Sequence, residues 1–85
     1  MNEILSGKDS RALEEILTRE LGVEHEQLTP DSRFVEDHAA DSLTVMELIM
    51  AVEERFNLSV PDDRWEKVRT VGDLQELLAE FLKDR

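Results

Sequence analysis

The stretch Ser42-Leu43-Thr44-Val45-Met46-Glu47-Leu48-Ile49-Met50-Ala51-Val52-Glu53-Glu54-Arg55-Phe56 decides the fold. At about 100° per residue, Val45, Leu48, Ile49, Val52 and Phe56 fall on one face of a helix, and Leu43, Met46 and Met50 fall on another about 130° away. Asp41 or Ser42 can cap its start, and Asn57 ends it. Two apolar faces need two partners. The first suits the core of a small domain. The second, rimmed by Glu47, Glu53 and Glu54, has the makeup of a protein-docking strip with apolar centre and charged edge, unless a bundle wraps the helix and buries both faces.

Outward from this helix, helical periodicity continues and no alternating run is long enough for a strand. Toward the N-terminus, Leu13, Ile16, Leu17 and Leu21 form one stripe, predicting a helix from Asp9 or Ser10 to Leu21 stopped by Gly22. Val23 to Arg33 reads as a polar connection. Within it Thr29-Pro30-Asp31 predicts a capped single helical turn, and Leu28 and Phe34 pin the loop to the core. Toward the C-terminus, Val60-Pro61-Asp62-Asp63 opens a short helical turn through about Glu66, with Trp65 and Val68 packing inward. A last helix starts at Thr70, where Asp73 three residues on suggests a capping-box start. It runs to about Lys83 with Leu74, Leu77, Leu78, Phe81 and Leu82 as its stripe. The expected architecture is all-α: a small four-helix bundle of three main helices and one short one. Residues 1–8 read as a loose N-terminal extension, with Ile4 and Leu5 available to dock, and residues 9–85 as the domain.

Composition narrows the function. Eighty-five residues with 40% hydrophobic content suffice for one core and not for two domains. With 10 basic and 21 acidic residues the net charge is −11, which disfavours nucleic acid and anionic membranes and favours basic partner proteins. The acidity is concentrated: Glu36 to Asp63 holds eight acids against the single Arg55. There is no cysteine, so disulfides, cysteine-ligated metals and a side-chain thiol nucleophile are absent together. No apolar run reaches membrane-spanning length and Met1 to Gly7 lacks the regions of a signal peptide, so a cytoplasmic protein is expected.

Candidate chemistry centres on Ser42, at a helix start where free N–H groups and the dipole favour an anion such as a phosphate; on position alone a plain cap is the simpler role. Asp37, His38, Asp41 and Ser42 include the residue types of a hydrolytic triad. They lie too close along the chain, and no Gly-x-Ser-x-Gly elbow or glycine-built oxyanion loop accompanies them. His38 and His25 suit surface loops better than metal ligation, and no calcium-loop spacing occurs. The chain is not expected to be an enzyme.

The run Phe34-Val35-Glu36-Asp37-His38-Ala39-Ala40-Asp41-Ser42-Leu43, followed by Glu47-Leu48 and Glu53-Glu54-Arg55-Phe56, resembles the acyl carrier proteins of fatty acid synthesis. Leu21-Gly22-Val23, Val60-Pro61-Asp62 and Thr70-Val71 agree, so the resemblance covers roughly Asp9 to Leu82. It implies that Ser42 is esterified by 4′-phosphopantetheine, transferred from coenzyme A by a phosphopantetheinyl transferase. The terminal thiol would then hold acyl groups as thioesters for fatty acid, lipid or polyketide synthesis. Asp41 and Leu43 would flank and present Ser42. Leu43, Met46, Glu47, Met50, Glu53 and Glu54 match the family's partner-recognition helix, read by synthases and transferases with basic docking patches, and the carrier would be a monomer. Phe34, Met46, Ile49, Val60, Trp65 and Val68 match positions walling the acyl pocket. Two departures stand out. His38-Ala39 replaces the usual Leu-Gly, implying a different path for the loop before Ser42, and Trp65 replaces a small residue beside the presumed pocket. A peptidyl or aminoacyl carrier, or an acidic helical adaptor without a prosthetic group, remain the alternatives.

Overall fold

The computed structural model describes residues 5–83, which form helices α1 (Gly7–Leu21), α2 (Ser42–Phe56), α3 (Asp62–Trp65) and α4 (Val71–Lys83), with a 3₁₀ turn at His25–Gln27. The expected all-α bundle of three main helices and one short one is what the described residues adopt. α1 begins two residues before the expected start because Ser6, and not a later residue, caps it, its side chain accepting from Asp9 N at 3.1 Å. Leu5 just ahead is buried in the core. Residues 5–8 of the segment expected to be loose are therefore part of the folded body, and Ile4 lies outside the described residues. Gly22 closes α1 in the left-handed conformation at φ 67°, its N–H bonded to Thr18 O.

α1 packs against α2. Leu13, Ile16 and Leu17 of α1, Leu48, Val52 and Phe56 of α2, and Val71, Leu74 and Leu78 of α4 share one apolar cluster, closed by Leu28 and Phe34 from the connection between α1 and α2. Each of these helices follows the 3.6-residue period, so each has one stripe to bury and the core is where the stripes converge.

The long connection differs from expectation at Thr29-Pro30-Asp31, which forms a tight turn and no helix. Ser32, buried at 7% exposure, explains the change: its hydroxyl accepts from Thr29 N at 3.0 Å and lies 2.9 Å from Thr29 Oγ1. Thr29 is thus engaged by Ser32 and does not cap a helix. The connection then pairs with the start of α4. Phe34 N donates to Arg69 O, Val71 N to Ser32 O and Gly72 N to Pro30 O, at 3.1, 3.0 and 2.8 Å. The capping box of α4 forms as the sequence suggested, Asp73 N donating to Thr70 Oγ1 at 3.0 Å and Thr70 N to Asp73 Oδ2 at 3.2 Å.

Candidate functional site

Ser42 is the first residue of α2 and is exposed. The loop before it is anchored at both ends by the buried Phe34 and Ala40, whose backbones are joined by the Ala40 N to Phe34 O bond at 3.0 Å. Arg33 and Asp37 brace the same loop: the Asp37 carboxylate accepts from Arg33 N at 2.8 Å and from its guanidinium at 3.3 Å. The hydrogen bonds from Arg33 hold the Asp37 carboxyl below the usual carboxylate range.

Ala39, where a glycine would be usual, takes φ 54°, the left-handed backbone that an L-residue adopts only at a cost. The chain thus meets at Ala39 a conformation native to glycine, so the substitution shows up as local strain. His38 beside it is half-buried.

The N-cap of α2 is Asp41 and not Ser42. Its carboxylate accepts from Thr44 N at 2.9 Å while its carbonyl takes the first helical bond, from Val45 N. That bond to Thr44 holds the Asp41 carboxyl below its ordinary value. The division of labour has a chemical result: with Asp41 satisfying the helix end, the Ser42 Oγ enters no hydrogen bond among the described residues and stays open to solvent. The residues present therefore fit a group esterified to this hydroxyl, since no structural bond must be broken to attach it.

Along α2 the second apolar face is open. Leu43, Met46 and Met50 are 66%, 59% and 59% exposed, and Val35 in the preceding loop, which the periodicity of α2 does not reach, is 59% exposed as well. Glu47 and Glu54 are exposed beside them. Glu47, Met50 and Glu54 also line a hollow of ≈ 470 Å³ shared with Arg19 and Glu20 of α1, so the outer face of α2 continues onto α1, a neighbourhood set by packing and invisible to a single-helix projection. Glu53 departs from the expected rim. Its half-buried carboxylate turns inward, Oε2 accepting from Val60 N at 2.9 Å and from Trp65 Nε1 at 3.4 Å.

Behind α2 lies an apolar interatomic space of ≈ 170 Å³, too narrow for a water molecule, bordered by Val52, Leu58, Val60, Trp65 and the α4 side chains Leu74, Leu77 and Leu78. Of the six side chains expected to wall an acyl pocket, Val60 and Trp65 border it. Phe34 is buried elsewhere in the core cluster, Ile49 and Val68 are half-buried away from this space, and Met46 is on the exposed face of α2. The α4 leucines were legible only as core stripe and Leu58 was not singled out at all, because a void between helices leaves no mark on the pattern of any one of them.

Among the described residues no cluster of three or more His, Asp or Glu could hold a metal ion, and no helix is long and apolar enough to cross a membrane.

Comparison with known proteins places the chain in a family. The chain matches the family described as the phosphopantetheine attachment site over residues 11–82. It is similar to the acyl carrier protein of Wolinella succinogenes, 48% identical over 62 residues covering 73% of this chain and 82% of that protein. It is 47% identical over 62 residues to the acyl carrier protein of Helicobacter pylori, covering 73% and 80%. The acyl carrier protein of Sulfurovum sp. is 48% identical over 61 residues, covering 72% and 81%.

Proposed function

The chain belongs to the acyl carrier protein family, with 4′-phosphopantetheine as its cofactor, and from that premise we propose that Ser42 is the attachment residue and that the chain carries acyl groups without itself catalysing a reaction. The observation that supports this best is the exposed Ser42 hydroxyl at the start of α2, relieved of capping duty by Asp41. When bound, the prosthetic group supplies a terminal thiol on which acyl groups are held as thioesters.

The chain's own residues present and protect. Asp41 fixes the first turn of α2 and so the position of Ser42; Phe34 and Ala40 clamp the loop that leads to it. With no cysteine in the chain, no side-chain thiol competes for the acyl group by exchange. Leu43, Met46 and Met50 form the apolar centre of a docking face for the transferase and for acyl-processing enzymes, and Glu47 and Glu54 form an acidic rim suited to basic patches. The closed apolar space beside Val60 and Trp65 is where an acyl chain would be sheltered once the side chains part.

Incubation with coenzyme A, magnesium and a broad-specificity phosphopantetheinyl transferase tests the assignment by intact mass. Wild type gains one phosphopantetheinyl group and Ser42→Ala gains none. Ser42→Ala stays folded, because Asp41 and not Ser42 caps the helix. Modification at the exposed Ser59 or the buried Ser32 would overturn the site, and no modification at all would favour the unmodified adaptor.

A further inference from the structure

α3 is only four residues long, yet it is tied to both of its neighbours. On the α4 side Arg64 Nη2 pairs with Glu80 Oε2 at 2.7 Å, and the guanidinium lies 5.4 Å from the centre of the Phe81 ring. On the α2 side a single oxygen, Glu53 Oε2, accepts from one donor ahead of α3, Val60 N at 2.9 Å, and from one at its last residue, Trp65 Nε1 at 3.4 Å. The two bonds are unequal. A 2.9 Å bond has the ordinary length of an N–H···O contact, whereas 3.4 Å is beyond its usual range, so the indole is held weakly by an acceptor that is itself held firmly.

The indole is also a wall of the apolar space between α2, α3 and α4, opposite Leu74 and Leu77. We propose that Glu53 is a positioning residue that clasps Trp65 across this space, making the indole a gate whose release sets the length of acyl chain the carrier shelters. The inference rests on the carrier reading above. With Val60 N pinned to Glu53 and Arg64 to Glu80 ahead of Trp65, and Val68 N donating to Trp65 O at 3.0 Å behind it, the backbone on both sides of Trp65 is restrained, and the element free to move is the side chain. Release leaves Glu53 Oε2 with its shorter bond and lets the indole N–H turn to water at the half-exposed surface, so no polar group is stranded. A short chain needs only the aliphatic side chains around the space to part, with the indole left in place. A longer chain must displace the indole, and burial of its added methylenes drives that displacement.

The indole N–H and the Val60 amide each give one resonance in ¹⁵N–¹H correlation spectra, and Trp65 is the only tryptophan, so the gate reports on itself. The probes are wild type, Glu53→Ala and Glu53→Gln carrying straight-chain butanoyl to dodecanoyl phosphopantetheine on Ser42, with loading checked by intact mass. In wild type the indole resonance holds its position for the shortest chains and moves from a threshold length onward, while the Val60 amide moves little. In Glu53→Ala the threshold falls by about two methylene groups, the burial that offsets one weak hydrogen bond to a charged acceptor. Glu53→Gln, which keeps an acceptor oxygen, restores the wild-type threshold. If Glu53→Ala does not fold, Glu53→Met replaces it: methionine keeps the side-chain length but offers the indole no oxygen acceptor, and the early threshold is read from the same indole resonance. An indole resonance unmoved by every chain length, or the same threshold in the wild type and the variant lacking the clasp, overturns the clasp alone. Failure to load Ser42 overturns the carrier reading, and the gate with it, at the mass measurement that precedes any spectrum.

Discussion

Replacing Ala39 by glycine should stabilise this protein, against the usual direction for an alanine-to-glycine change. Ala39 sits at φ 54°, and the left-handed region costs an L-residue roughly 1–2 kcal/mol, because Cβ crowds the following carbonyl. Glycine escapes that crowding but gains freedom in the unfolded chain, an offset of about 0.4–1 kcal/mol. Nothing else changes sides: Ala39 is exposed, so its methyl group contributes little packing, and its N–H bond to Val35 O at 3.1 Å is available to glycine as well. The net gain is about 0.5–1 kcal/mol, which for a domain of this size is a rise in Tm of about 2–8 °C. Thermal melts by circular dichroism and urea titrations of Ala39→Gly and Ala39→Val check it together. The glycine variant raises the urea midpoint with an unchanged m-value, and the valine variant lowers it, since a β-branched side chain fits this backbone worst. A midpoint that is unchanged or lower in Ala39→Gly would refute the assignment of strain to the loop before Ser42.

Gly72→Ala should act oppositely, losing about 1–3 kcal/mol in urea titrations, because a Cβ there would stand 2.9 Å from the Pro30 carbonyl oxygen that the Gly72 N–H itself bonds. Glu47→Lys slows transferase modification strongly at low ionic strength and weakly at high, while Met50→Ala slows it at both, as stopped-time mass analysis would show. Glu15→Lys is the proper control, lying in a separate hollow with Arg11, Thr18 and His25; Glu20→Lys is not, since Glu20 borders the same hollow as Glu47 and Met50. Asp37 and Asp41 both have folded-state pKa values below the ordinary Asp value, so the stability they contribute is fully present above that value and lost as pH falls through the lowered ones. Urea midpoints between neutral pH and pH 3 should therefore fall less in Asp41→Asn than in wild type, because the amide can still accept from Thr44 N and does not titrate.

What could be seen in the sequence divides along a physical line. The main helices, the left-handed Gly22 and Asn57 that end two of them, and the Thr70/Asp73 capping box depend on residues within about one turn of each other, and all but the start of α1 are where the spacing put them. The open face of Leu43, Met46 and Met50 was legible for the same reason, although whether a neighbour covers it was not. Glu53 was misread because its partners lie seven and twelve residues away, so a helical projection sees only a glutamate beside Glu54. The Thr29-Pro30 turn was misread because the buried hydroxyl of Ser32 outweighs a good local cap signal. That Glu20 and Glu47 border one hollow is invisible in the sequence, because adjacency between α1 and α2 exists only after packing.

The three backbone bonds that join residues 30–34 to residues 69–72 also govern when the loop ahead of Ser42 can take shape. Their donors and acceptors are separated by 35 to 42 positions, as Phe34 with Arg69, Val71 with Ser32 and Gly72 with Pro30. Pairings that distant form late in folding, after the local helices, since the intervening chain must first be closed into a loop. A chain emerging from the ribosome with Ser42 and all of α2 already outside still lacks Arg69, Val71 and Gly72, so the segment ahead of Ser42 stays unfastened until residues 69–72 have followed it out.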